Sequence, residues 1–183
     1  MRSRRPDPTA KERTSNVTGS KRQKPTIGWR EWVALSELGV DGTKAKIDTG
    51  ARSSALHAFE LELTQRHGRE YVRFQIHPIQ RDAKTSIWAE ARVHDKRRVK
   101  NSGGRIELRV VIRTPVRLMG EEFEIDLTLT RRDAMGFRML LGREAVRGRF
   151  LINPGRSFLS ADPPPKKRRK KKKKKKPSGE AKS

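Results

Sequence analysis

The chain has 183 residues, with 45 Lys and Arg against 21 Asp and Glu, a formal net charge of +24 and no cysteine. That length fits one domain with tails. No run of about 18 apolar residues exists and no apolar stretch follows Arg2, Arg4 and Arg5, so neither a transmembrane helix nor a secretory signal is expected. The lack of cysteine excludes disulfides, thiolate zinc sites, iron–sulfur clusters and a thiol nucleophile, and a cytoplasmic protein without a cofactor is expected. The charge is uneven: residues 1–25 carry +6, 26–160 carry +8 and 161–183 carry +10. Sixteen of the 24 excess charges therefore sit in 48 terminal residues that hold almost nothing able to form a core.

In chain order, residues 1–25 are rich in Arg, Lys, Pro, Ser and Thr, with Met1 and Val17 the apolar residues of any size. Such a segment cannot offset its ordering entropy by burial and is expected to be disordered. Residues 26–160 read as the domain. Trp29, Trp32 and Val33 open it, and Ala45-Lys46-Ile47 runs into Asp48. Val72, Phe74 and Ile76 alternate with Arg73 and Gln75, the period of a half-buried strand. Ile106, Leu108 and Val110 alternate likewise, and the phase shift at Val111-Ile112 predicts a bulge or bend. Met119-Gly120-Glu121-Glu122 reads as a hairpin turn into the alternation of Phe123, Ile125, Leu127 and Leu129. Arg143–Arg147 is the one helical stretch, and Phe150-Leu151-Ile152 and Ser157-Phe158-Leu159 flank the turn Asn153-Pro154-Gly155. This is a mostly-β domain, a sandwich or barrel. Residues 161–183 open with Pro163-Pro164-Pro165 and continue as eleven basic residues, Lys166 to Lys176, a second tail expected to be disordered.

One stretch carries chemistry: Lys46-Ile47-Asp48-Thr49-Gly50-Ala51. Asp48 at a strand end projects a carboxylate into a cleft, the Thr49 hydroxyl bonds the backbone, and Gly50 lets the main chain approach and donate to the carboxylate. The tripeptide alone also occurs as an ordinary turn. A second block, Met139-Leu140-Leu141-Gly142-Arg143-Glu144, follows about 90 residues later. With both blocks the chain resembles the retropepsin-like aspartic peptidases. Ile27–Glu31, Arg52–His57, His77-Pro78, Arg97–Lys100 and the closing apolar pairs narrow the likeness to one bacterial family. That family is labelled an ATP-dependent zinc protease, was later grouped as retropepsin-like, and accompanies ATP-grasp glutamate ligases of the RimK type.

The resemblance implies a closed β-barrel with one short C-terminal helix. It implies a catalytic Asp48, with Thr49 and Gly50 shaping the loop and Leu141, Gly142 and Arg143 supporting it. Two carboxylates must share one proton, and the chain has one such tripeptide, so the resemblance implies a homodimer with one Asp48 from each copy. The family's label fits the residues less well. No G-x-x-x-x-G-K-[ST] loop is present, and His57, His67, His77 and His94 are scattered without His-Glu-x-x-His spacing, so no metal site is assigned.

Arg52 stands where the family places an acidic residue. It either binds a substrate carboxylate or is a solvated loop arginine. Ala51, Arg52, Arg97, Arg98 and Lys100 are the candidate substrate-binding residues, with Arg92–Gly104 placed as a flap, and the ligase association points to an acidic or polyglutamylated peptide. The alternatives are a catalytically silent peptide-binding or regulatory module partnering a glutamate ligase or the ribosome, and a zinc-dependent peptidase. The lysine run reads as a flexible tail that tethers the protein to the ribosome or nucleic acid without sequence choice. No aromatic residues interleave with its lysines for base stacking.

Overall fold

The structure, a computed structural model, describes residues 23–79, 82, 84–100, 104, 106–131 and 136–160. Of the predicted disordered tails 1–25 and 161–183, residues 1–22 and 161–183 lie outside the described residues, while 23–25 are described and the Pro25 carbonyl accepts from Leu151 N–H at 3.0 Å. The described chain is mostly strand: β1 (Thr26–Gly28), β2 (Arg30–Leu35), β3 (Val40–Asp48), β4 (Ser54–Arg66), β5 (Arg69–Ile76), β6 (Ile87–Lys100), β7 (Ile106–Leu118), β8 (Glu121–Thr130), β9 (Met139–Gly142) and β10 (Leu151–Asn153). A 3-10 turn, Ser36–Leu38, separates β2 from β3, and the single helix α1 spans Arg143–Val146. No helix among the described residues is long and apolar enough to cross a membrane.

The strands follow from their alternation. Along β8, Ile125, Leu127 and Leu129 point into the core, while Glu124 is exposed and Asp126 half-buried. Two hairpins close on two residues. In each, His67-Gly68 (φ 52° and 71°) and Met119-Gly120 (φ 55° and 77°), both residues adopt left-handed backbone, the geometry that matches strand twist. The phase shift read at Val111-Ile112 is real, but its cause lies across the ladder. The register of β6 slips between Val93 and Asp95, opposite those residues, so β6 carries the bulge while β7 stays regular against β8.

Eight strands form one sheet in the order β2-β3-β9-β4-β5-β6-β7-β8, and β1 pairs in parallel with β10 beside it. Further pairings join β4 to β8 and, through Ala34 and Arg117, β2 to β7. The core runs between these strands, with Leu35, Ile27, Leu56, Phe74, Ile112, Leu127, Met139 and Leu141 fully buried. The positioning consequence is local. Parallel pairing of β3 with β9 sets Ile47 against Leu141 and Asp48 against Gly142, so the two sequence blocks end side by side.

Candidate active site: the Asp48 loop

Asp48 is the last residue of β3 and is half-buried. The chain turns immediately, and the Gly50 and Ala51 backbone N–H groups each donate to Oδ1 of Asp48 at 3.1 Å. Both bonds reach the same oxygen. Among the described residues Oδ2 accepts none, so one oxygen is held by main chain and the other carries no protein hydrogen bond.

The loop is laced to the second block by its backbone. Arg143 N–H donates to the Ala51 carbonyl at 2.8 Å and Glu144 N–H to the Arg52 carbonyl at 3.1 Å. Ser54 Oγ accepts from Gly142 N–H at 3.2 Å, and the Arg143 guanidinium donates to the Thr49 carbonyl at 3.4 Å. Gly142 is required by contact: a β-carbon there would overlap the Ser53 carbonyl carbon and lie 2.5 Å from its oxygen. Thus Asp48, Thr49, Gly50, Ala51, Leu141, Gly142 and Arg143 come together. Ser53, Ser54 and Glu144, which fall in the family blocks without an assigned role, complete the lacing.

The proposed substrate cations separate into three groups. Arg52 lies at the loop, where its Nε pairs with Glu144 Oε1 at 2.7 Å on an exposed surface. Arg97 lies elsewhere, on β6. It donates to Asp126 Oδ2 at 2.8 Å and also pairs with Asp95, while Arg113 reaches Asp126 Oδ1 at 3.2 Å. Burial pushes the Asp126 carboxyl up, but the bonds from Arg97 and Arg113 outweigh it and hold it below the usual carboxylate range. Asp95 is held low by Arg97 and by the Lys96 N–H, and the bonds to Asp95 and Asp126 raise Arg97. Arg98 is exposed opposite Leu108, and Lys100 pairs with Ile106 at the end of the β6–β7 hairpin. That hairpin is the predicted flap; Asn101–Gly103 and Arg105 lie outside the described residues.

A cleft of about 330 Å³ opens behind the loop, lined by Ser53, Ser54, Arg113, Glu124, Asp126, Glu144 and Arg149 among others. It meets the loop through Ser53 and Ser54 and does not include Asp48. Two of the four histidines come together: the His57 and His77 rings stack at 5.9 Å and both stack with Phe59, while His67 sits in a turn and His94 lies on β6 beside Arg113. Among the described residues no group of three or more His, Asp or Glu is placed to hold a metal ion.

A mostly-β domain whose Asp-Thr-Gly loop is stitched to an apolar-Gly-Arg strand is a retropepsin-like domain. The family profile described as retropepsin-like aspartic endopeptidase RimB matches residues 26–163, and the chain belongs to this RimB-like family. It is 48% identical over 131 residues to a probable alpha-L-glutamate ligase of Desulfotalea psychrophila, a match covering 72% of this chain and 28% of that one. A probable alpha-L-glutamate ligase of Shewanella halifaxensis is 46% identical over 132 residues, covering 72% and 29%. The chain thus spans less than a third of the length of these curated relatives. A crystal structure of a Legionella pneumophila protein of unknown function shares the fold, with a TM-score of 0.64 and 24% identity over 75% of this chain and 99% of that one.

Proposed function

We propose that the protein is a retropepsin-like aspartic endopeptidase that hydrolyses acidic peptides through two Asp48 carboxylates brought together in a homodimer. The observation that carries this reading is the one-sided hydrogen bonding of Asp48, with Oδ1 held by Gly50 and Ala51 N–H groups. Two such carboxylates facing across a two-fold axis share one proton, because both cannot ionise side by side. The ionised partner takes a proton from water as it attacks the scissile carbonyl, and the protonated partner donates to the carbonyl oxygen. Closure of the sheet into the family's barrel belongs to the same reading and is supported by the pairings of β7 with β2 and of β4 with β8. The absence of cysteine suits a cytoplasmic setting.

For the substrate, Arg52 is the cation at the loop, and its exposed pairing with Glu144 is weak enough to exchange for a substrate carboxylate. Arg97 is held by Asp95 and Asp126, and the subsite rests on Arg52 instead. The test is hydrolysis of a glutamate-rich peptide by the purified chain and by Asp48→Asn. Loss of cleavage with an unchanged melting temperature supports the reading, and equal cleavage rejects it. Sedimentation showing only monomer under cleaving conditions rejects the shared dyad.

A second reading is favoured by one finding: in the curated relatives the matching segment makes up less than a third of a chain named a glutamate ligase. On that reading the domain is a silent module that holds acidic product or partner for a RimK-type ligase. It predicts that Asp48→Asn keeps binding to such a ligase while Arg52→Gln weakens it.

A further inference from the structure

The outer face of β2 and β3 gathers cations and aromatic rings side by side. Several basic side chains on other strands are matched by carboxylates: Arg66 pairs with Glu90, Arg73 with Glu62, Lys96 with Glu70, Arg97 with Asp126 and Arg109 with Glu107. Strand alternation turns Arg30 and Trp32 of β2, and Lys44 and Lys46 of β3, away from the core side occupied by Val33, Leu35, Ala45 and Ile47. Register sets Arg30 opposite Lys46 and Trp32 opposite Lys44. Among the described residues none of these three cations pairs with a carboxylate.

Aromatic rings fix two of the cations. The Arg30 guanidinium lies 4.5 Å from the Trp29 ring centre and 5.0 Å from that of Phe158. Lys44 Nζ lies 5.2 Å from Trp32 and 5.6 Å from Phe158. Ring and cation thus alternate from Trp29 through Arg30, Phe158 and Lys44 to Trp32, and the three rings are half-buried, leaving part of each accessible. Phe158 reaches this position only with a left-handed backbone (φ 54°), a strained conformation for a bulky residue. The surrounding chain enforces it. Phe158 N–H donates to the Arg30 carbonyl at 2.9 Å, and the fully buried Glu31 carboxylate accepts from Gly28, Leu159 and Ser160 N–H groups at 2.6, 2.9 and 3.2 Å.

We propose that this face of β2–β3 binds single-stranded nucleic acid. Three unmatched cations take phosphates, and the rings between them take bases, which stack on any aromatic face without regard to sequence. Holding Arg30 and Lys44 against rings in advance lowers the ordering cost of each phosphate contact. Lys44 and Lys46, two residues apart on one strand, stand about 6.7 Å from each other along the chain direction. Past Ser160 the sequence runs into Lys166–Lys176, which has cations and no aromatics. The folded face supplies the stacking groups that this run lacks. An acidic polypeptide would use the charges but has no flat groups for the rings, and a lipid surface would call for exposed aliphatic side chains among the cations.

The experiment uses the full chain and a fluorescent 20-nucleotide oligouridylate, with polyglutamate of equal charge and anionic vesicles as competing probes. Three variants are compared: Arg30→Gln/Lys44→Gln/Lys46→Gln, Lys44→Gln/Lys46→Gln, and a chain with Lys166–Lys176 replaced by Gly and Ser. All are checked by thermal melting and carry Trp88→Phe, so that tryptophan emission reports Trp29 and Trp32. Each lost phosphate contact lowers the salt slope by about 0.7, so the triple variant loses about 2 in slope and about 50-fold in affinity at 0.15 M salt. The double variant loses about two thirds of that slope. Oligouridylate quenches tryptophan emission in the parent and in the tail-replaced chain. A triple variant that melts and binds like the parent, with the same slope, overturns the proposal. So does polyglutamate or the vesicles matching the oligonucleotide in both affinity and quenching.

Discussion

Asp48 and Asp126 are both half-buried aspartates on strands with arginines nearby, yet their surroundings suit opposite purposes. Asp126 has both oxygens captured, Oδ2 by Arg97 and Oδ1 by Arg113, and its carboxyl is held low. A carboxylate so engaged neither accepts nor delivers a proton near neutral pH. Among the described residues Asp48 is bonded only by main-chain N–H groups, and on one oxygen only. Side-chain ion pairs tie β6, β7 and β8 together, whereas backbone lacing keeps Asp48 in place without consuming its chemistry. An aspartate held by backbone can react; one held by guanidinium groups serves as a clamp.

This contrast can be broken experimentally. The largest effect belongs to Asp48→Asn, expected to reduce peptide cleavage about 10⁴-fold with little change in melting temperature; Asp126→Asn should leave the cleavage rate within about threefold. Next comes Gly142→Ala, whose added methyl meets the Ser53 carbonyl. It should cost about 3 kcal/mol in denaturant unfolding and weaken cleavage as the loop shifts. Asp126→Asn should cost about 1 kcal/mol or less at neutral pH. Its signature is pH dependence. Because the folded carboxyl titrates below its ordinary range, the wild-type gains stability from it above about pH 4 and loses that gain as pH falls through the lowered value. The variant should flatten that acid limb in a series of melting curves. The smallest effect is expected of Arg52→Gln: within about 0.5 kcal/mol in stability, since its ion pair is exposed, but a raised KM for glutamate-rich peptides relative to neutral ones.

The cations show where sequence reading succeeds and where it stops. Arg52 and Arg97 look alike as residues near family motifs, but only the position of Asp126 on β8, 29 residues from Arg97, reveals that Arg97 is committed to a clamp. Alternation within β2 turns Glu31 inward between Arg30 and Trp32, so its parity is a local property that is legible along one strand. Its partners Leu159 and Ser160, 128 and 129 residues away, are not. The bulge lies at the level of the ladder that the phase shift indicates but on the partner strand β6, because a register slip belongs to a pair of strands and not to one sequence.

By itself the sequence determined the class of the protein. Period-two alternation fixed mostly-β structure, and the aspartate and glycine blocks fixed the family, because both depend on residues adjacent along one strand or loop. Tertiary structure alone decided which charges are free. The parallel pairing of β3 with β9 laid Asp48 beside Gly142, the crossing of β6 with β7 and β8 neutralised Arg97, and the return of Phe158 to β2 gathered rings and cations on one face. The physical reason is range. Alternation and turn chemistry act over a few residues, while the state of a charged group is set by whatever the fold brings within a few ångströms.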